Sequence, residues 1–168
     1  AGQSSRGGVV VLVESGPTGE PSAAGLEVQG AARALASGLG CQLVVAFVGV
    51  EGAPAACAAA RQGADRVYQV AWKKGAGTAE DSMLEAAWLA VQTAAPLAVV
   101  LADSLSSRVM AARLAVRMDA ELVAGCGLLK VRDGSVQMGR ACLSGKGFAQ
   151  LEWNQARPLV ITVAQGAF

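Results

Sequence analysis

Short apolar runs rich in β-branched residues alternate with segments of helical periodicity along the first two thirds of the chain. The apolar runs cover residues 9–13, 43–48 and 97–102, and a shorter run covers residues 66–70. A continuous apolar run of this length is typical of a strand that is covered on both faces. The pattern therefore predicts four parallel strands between two layers of helices.

Helical segments separate these strands. The first is predicted over about residues 23–38, where Leu26, Gly30 and Ala34 share one face, with Leu35 and Leu39 alongside. An alanine-rich second helix is predicted over about residues 54–62, and it ends at a glycine.

The third helix has the clearest start signal. Thr78 is suited to cap it, and Asp81 stands three residues later in the capping-box position. Leu84, Trp88 and Val91 then form an apolar stripe, and a tryptophan on such a stripe indicates core packing rather than a cofactor contact. Pro96 closes the helix.

A fourth helix is predicted over about residues 106–118. Met110, Leu114 and Met118 share one of its faces. Arg113 and Arg117 lie one turn apart, and their spacing predicts a solvated face.

Beyond Asp119 the helical periodicity stops. Strands are predicted over residues 122–131, 135–143, 148–153 and 159–163, joined by tight glycine-containing turns. Right-handed crossovers between the first four strands place helices on both faces of the sheet. We predict the strand order 3-2-1-4, with the later strands extending the sheet beside the fourth. We therefore predict an α/β fold, a three-layer open and mainly parallel sheet with helices on both faces and an antiparallel strand extension at its C-terminal end.

Length and composition narrow the functional classes. The 168 residues predict a single domain over residues 1–168, with a disordered tail at 1–8. The chain is 53% hydrophobic and 16% charged, which excludes general disorder, and its net charge of +1 argues against nucleic-acid binding. It contains no histidine, so catalytic chemistry and metal ligation by imidazole are excluded.

The spacing of the cysteines and two uncharged stretches indicate the cellular compartment and whether the chain enters a membrane. Cys41, Cys57, Cys126 and Cys142 are widely spaced and form no zinc pattern, which predicts free thiols in a reducing, cytoplasmic compartment and no metal site. The uncharged stretches 34–50 and 86–102 each resemble a helix end, a turn and a strand more than a membrane span. We therefore predict no membrane insertion.

The candidate binding site follows from the fold. In open α/β sheets, ligands bind beyond the carboxyl ends of the strands, where the winding reverses. The loops at that position contain Glu14, Ser104, Ser106, Ser107 and Arg108. These hydroxyls and the arginine lie at a helix N-terminus, where free backbone N–H groups favour an anion. The alternative is that Asp103, Ser104, Ser106 or Ser107 simply caps the fourth helix, and the sequence favours capping.

Complete phosphate-binding or catalytic motifs do not occur in the sequence. The glycine pairs at 75–77 and 125–127 begin a G-x-G-x-x-G match, but Glu80 and Lys130 occupy the third glycine position. Ser144 and Lys146 stand in a turn context that does not suit a catalytic dyad. No catalytic residue is therefore predicted.

Several segments, in order along the chain, carry a family resemblance. They are VLVE (residues 11–14), LE and AARAL (26–35), GADRVY (63–68), SR (107–108), AARLA (111–115), GR (139–140) and RPLVITVAQGAF (157–168). Together they resemble the N-terminal domain of the electron-transfer flavoprotein alpha subunit. The chain differs from the usual pattern of that family at Ser107, Val109 and Ala112, where glycine, an acidic residue and proline are usual.

The resemblance implies a role without a redox site of its own. It implies a domain of a heterodimeric electron carrier that works between flavin dehydrogenases and a membrane or quinone acceptor. In that family a second domain, whose motifs are absent from these 168 residues, holds the FAD. We therefore expect a scaffold that binds a beta-subunit-like protein and a flavin-binding domain, holds no FAD alone and has no catalytic residues.

Two other functions remain open from the residues. A stand-alone AMP-binding module of the same fold is weakened by the missing glycine-rich phosphate loop. An enzyme of the related nucleotide-hydrolase superfamily also lacks a visible catalytic constellation.

Overall fold

A computed structural model describes residues 7–14, 23–49, 63–71 and 78–167. The strands described are β1 (Val9–Glu14), β2 (Leu43–Gly49), β3 (Arg66–Ala71), β4 (Ala98–Ala102), β5 (Glu121–Arg132), β6 (Ser135–Cys142), β7 (Gly147–Trp153) and β8 (Leu159–Val163). The helices described are α1 (Ala23–Leu39), α2 (Ala79–Ala94) and α3 (Leu105–Met118). Each of these elements was predicted to within two residues at either end.

The strands form a single sheet in the order β3-β2-β1-β4-β8-β5-β6-β7. β1, β2, β3 and β4 are parallel in the predicted order 3-2-1-4, and the antiparallel pairs β5–β6 and β6–β7 extend the sheet. The last strand, β8, lies between β4 and β5 and is parallel to both. The predicted fold class is therefore confirmed, and the insertion of β8 lengthens the parallel part of the sheet.

The strands are covered on both faces because their side chains alternate between two apolar layers. On one face, α1 packs over Val9, Val11 and the matching positions of the neighbouring strands. On the other face, α2 and α3 pack over Val10 and Leu12. Five of the six residues of β1 are buried, as a central strand requires.

α2 begins and ends at the residues that the sequence indicates. The Thr78 hydroxyl accepts a hydrogen bond from the Asp81 backbone N–H at 3.2 Å and donates one to the Asp81 carboxylate at 2.9 Å. At the other end Ala95 adopts a left-handed conformation, φ 44° and ψ 58°, directly before Pro96. The predicted cap is confirmed, and Pro96 follows the end of the helix.

α2 and α3 lie beside each other and are joined by two ion pairs. Arg113 contacts Asp81 at 2.9 Å, and Arg117 contacts Glu85 at 2.6 Å. The Arg117 guanidinium also stacks over the Trp88 ring at 5.7 Å from its centroid. The arginines predicted for a solvated face thus join two helices, although Arg113 stays 45% exposed.

Several predictions concern residues outside the described ranges. The second predicted helix, Cys57 and most of the predicted N-terminal tail are among them. Gly8 is described, and its carbonyl accepts a hydrogen bond from the Leu97 N–H at 2.9 Å. None of the described helices is both long enough and apolar enough to cross a bilayer.

Candidate functional site

A crevice opens at the carboxyl ends of β1 and β4, where the winding of the sheet reverses. It has a volume of about 130 Å³, and its described lining includes Glu14, Ser104 and Ser107. The N-terminal residues of α1 form a further wall through Ala24 and Gly25. The structure therefore brings three of the five candidate site residues together at the place that the fold predicts.

Ser104 caps the start of α3, and Ser106 and Ser107 lie in its first turn. The Ser104 hydroxyl accepts a hydrogen bond from the Ser107 backbone N–H at 3.1 Å, with the extended backbone of an N-cap residue. Its oxygen also lies 2.8 Å from the Ser107 hydroxyl and 3.0 Å from that of Ser106. The capping interpretation is confirmed for Ser104, and anion binding by these hydroxyls stays a prediction.

Glu14 ends β1 at the mouth of the crevice. Its side chain remains partly exposed, yet the protein around it replaces enough water to raise the pKa of the carboxyl above its ordinary value. A carboxylate in this position repels an incoming phosphate, whereas a protonated carboxyl does not.

Arg108 is not among the described residues that line the crevice, and it pairs with Asp103. Its Nε and Nη2 donate to the two oxygens of Asp103 at 2.8 and 2.6 Å, which makes a bidentate fork. The Asp103 side chain is only 11% exposed, whereas Arg108 is 56% exposed. The arginine predicted as an anion ligand is therefore already engaged with an anion of its own chain.

Asp103 is held from behind by a buried hydroxyl. Thr162 on β8 is fully buried and donates to Asp103 Oδ1 at 2.6 Å. The Thr162 hydroxyl oxygen accepts a hydrogen bond from the Gly125 backbone N–H at 2.9 Å. Hydrogen bonds hold the pKa of the Asp103 carboxyl below its usual value, the one from Arg108 having the larger effect and the one from Thr162 the smaller. The carboxyl is therefore ionised near neutral pH.

Gly125 occupies a bulge in β5 that makes this chain of hydrogen bonds possible. The register between β5 and β8 shifts between Val123 and Cys126, and Gly125 has a φ of +69°. A Cβ at Gly125 would lie 3.7 Å from Arg108 Nη2. Glycine is required here by the backbone conformation more than by the space.

Gly125→Ala is expected to lower the free energy of unfolding by about 1–2 kcal/mol, because alanine is strained in the left-handed region. Urea unfolding monitored by circular dichroism measures this loss. Gly127→Ala is the matched control on the same strand, since Gly127 has ordinary φ and open space around its Cβ position. Equal stability of the two variants would contradict the proposed role of the bulge.

The candidate residues divide among three places. Glu14, Ser104 and Ser107 line the crevice, Arg108 joins the ion pair with Asp103, and Ser106 lines a separate groove between α2 and α3. Sequence reasoning missed Thr162 and the structural role of Gly125. An isolated glycine in a strand pattern indicates a bulge, and that signal was available for Gly125.

The described residues offer little for metal or thiol chemistry. In the ranges described, no three side chains of histidine, cysteine, aspartate or glutamate come close enough to hold a metal ion. Burial raises the pKa of the Cys126 thiol and also that of Cys41, which is less deeply buried. Both thiols are therefore poor nucleophiles.

Comparison with known proteins assigns the family. The family model described as electron transfer flavoprotein domain matches residues 9–168. That match covers the sheet from β1 to β8, the three described helices and the crevice. A search of curated proteins found no match to the chain.

Proposed function

The chain belongs to the electron transfer flavoprotein domain family, and from this premise we propose that it is an alpha-type N-terminal domain that acts as a scaffold. Family membership supports an electron-transfer flavoprotein-like role, and the family generally works with partner subunits. In this proposal the domain supports a flavin-bearing domain and a beta-subunit-like partner, and the flavin is held outside these 168 residues.

The size of the crevice is the observation that carries the proposal. Sites for cofactors and drug-sized ligands usually have volumes of about 300–1,000 Å³ and bury most of the ligand surface. The crevice has about 130 Å³, which is well below that range. Its volume suits a small anion or a few water molecules better than an isoalloxazine ring joined to a dinucleotide.

The charges around the crevice also argue against a pyrophosphate ligand. The described lining contains the Glu14 carboxyl and has no basic side chain. Arg108 is committed to Asp103, and the Ser104 hydroxyl is committed to the α3 cap. The described residues therefore do not fit FAD, and no electron-transfer step is assigned to them.

A nucleotide-binding module is the second candidate function. It is favoured by the position of the crevice at the switch point of the sheet, beside the first residues of α1 and α3. Free backbone N–H groups at helix N-termini suit a phosphate, so AMP is the natural probe for this alternative.

We expect the purified chain to be colourless and to stay so after incubation with FAD and gel filtration. FAD should produce no thermal shift, whereas a ligand at a hundredfold excess over its Kd would stabilise the fold by about 2.7 kcal/mol. Stoichiometric flavin that co-elutes with the chain would overturn the proposal.

AMP separates the two candidate functions in the same assay. A shift with AMP that Ala24→Glu abolishes and the control Ala23→Glu retains would favour the nucleotide-binding module. Ala24 lines the crevice, whereas the neighbouring Ala23 is exposed and is not among the described lining residues. No shift with AMP agrees with the scaffold proposal.

A further inference from the structure

The sheet ends at β7, and no described strand covers the outer edge of β7. β7 pairs with β6 over its whole length, Gly147–Trp153, without a register shift. It contains no lysine, proline or bulge, the features that commonly protect an edge strand from pairing with another chain, and Glu152 is its only charged residue. Among the residues described, this edge therefore presents its outward backbone N–H and C=O groups to a further strand.

Exposed apolar side chains cluster on the hairpin that forms this edge. Leu143, Phe148 and Leu151 are 77%, 56% and 38% exposed. Leu143 lies in the turn between β6 and β7, and the other two lie on β7 itself. Addition of a strand to the edge removes part of this apolar surface from water, which favours pairing.

Antiparallel pairing of β7 with the β7 of a second copy matches the side chains of one face by size. A two-fold axis through Gln150 pairs all seven residues of the strand, whereas any other symmetric register leaves one end unpaired. It sets Gly147 opposite Trp153 of the second copy. It also sets Ala149 opposite Leu151 of the second copy. Each small residue therefore meets a large one.

The same register places opposite charges beside each other on the other face. Glu152 lies opposite Phe148 of the second copy, and the next residue of that copy on this face is Lys146, which directly precedes β7. Such diagonal positions are about 7–8 Å apart, a distance that long side chains reach. The Phe148 ring lies over Gly139 of β6, where no Cβ would fit, and so extends toward β6 rather than the open edge. Two Glu152–Lys146 ion pairs, related by the two-fold axis, result.

Within one chain these two charges cannot meet. Six residues of extended strand separate them by about 20 Å. In the part of the chain that the structure describes, neither side chain forms an ion pair, and Glu152 accepts a hydrogen bond from Ser135 through one of its two oxygens. Both side chains are exposed, so both are accessible to a second copy.

We propose that the chain forms a symmetric dimer in which two β7 strands pair antiparallel about Gln150 and join the two sheets into one. A second copy fits this edge because the edge complements itself, in side-chain size on one face and in charge on the other. The contact is one strand long, about 23 Å, so the dimer belongs with weak and reversible interfaces. The inference goes beyond the proposed function and does not rest on it.

Sedimentation equilibrium over a wide concentration range tests the dimer directly. The chain should show a reversible monomer–dimer equilibrium without flavin, nucleotide or any other protein present. A chain that stays monomeric up to millimolar concentration overturns the proposal.

Charge reversal tests the register. Glu152→Lys and Lys146→Glu should each raise the dimer Kd at least about fivefold, because each places like charges together at two sites across the axis. The double variant restores opposite charges and should return the Kd to within about twofold of the wild-type value. Since the two residues cannot meet within one chain, only pairing between copies accounts for such a rescue.

Lys130→Glu is the matched control for the change in net charge. Lys130 is also an exposed lysine, but it lies on β5, two strands away from the open edge. Its reversal should leave the Kd unchanged, and circular dichroism should show that all four variants are folded. Additive losses in the double variant, or equal weakening by Lys130→Glu and Lys146→Glu, would contradict the proposed pairing of β7 with its copy.

Discussion

Trp153→Ala should lower the free energy of unfolding by about 3–5 kcal/mol, the cost of removing a large buried aromatic side chain. Trp153 is 1% exposed and is the largest of the fully buried side chains described. It pairs with Val136 across β6 and β7, and its indole N–H donates to the Arg157 carbonyl at 2.8 Å. The substitution removes this packing and leaves that carbonyl without its donor.

Urea unfolding of three variants separates the two contributions of Trp153. Trp153→Phe keeps an aromatic ring but loses the hydrogen bond, so it should lower the free energy of unfolding by less than Trp153→Ala does. Phe148→Ala is a control on the same strand, because Phe148 is 56% exposed and its truncation should cost less than that of Trp153. A loss below about 1 kcal/mol for Trp153→Ala would show that the end of β7 is not part of the cooperative core.

The parallel part of the fold follows from the sequence because burial on two faces leaves a strong signal. The apolar runs at β1, β2 and β4 require helices above and below them, and the observed order 3-2-1-4 agrees with the predicted one. The position of β8 leaves no comparable signal. Its apolar run is compatible with any interior place in the sheet, and only the pairing with β4 and β5 determines where it lies.

Helix α1 shows how composition can obscure a buried face. The sequence groups Leu26, Gly30 and Ala34 on one side, yet Gly30 and Ala34 are exposed. The core face instead runs through residues such as Val28 and Leu35. Small residues fill so much of this helix that several faces have similar hydrophobicity, and only contact with the sheet selects one of them.

A crevice lies where the topology predicts it, but the contacts inside it could not be predicted. The carboxyl ends of β1 and β4 follow from the topology, so Glu14 and Ser104 could be placed at one crevice. Arg108 could either face a ligand or pair with Asp103, and the distance along the chain allows both. Thr162 decides between them, because it orients Asp103 from a strand 59 positions away.

Asp103→Asn should lower the free energy of unfolding by about 1.5–3 kcal/mol near neutral pH, the range for hydrogen bonds to a charged group. The substitution keeps the size of the side chain but replaces one oxygen with an amide N–H group. If the remaining oxygen accepts from Thr162, the amide group faces the Arg108 donors and breaks the fork. Asp81→Asn, in an ion pair that is exposed on both sides, should change stability far less.

The dependence on pH distinguishes loss of the charge from loss of packing. The pKa of Asp103 is lowered in the folded state, so its charge stabilises the fold at pH values above the ordinary carboxyl pKa. This stabilisation is lost as the pH falls through the lowered value. The stability difference between the wild-type chain and Asp103→Asn should therefore shrink on acidification, since other carboxylates contribute equally to both. A difference that is constant with pH would assign the effect to packing and leave the charged fork between α3 and the sheet without a role in stability.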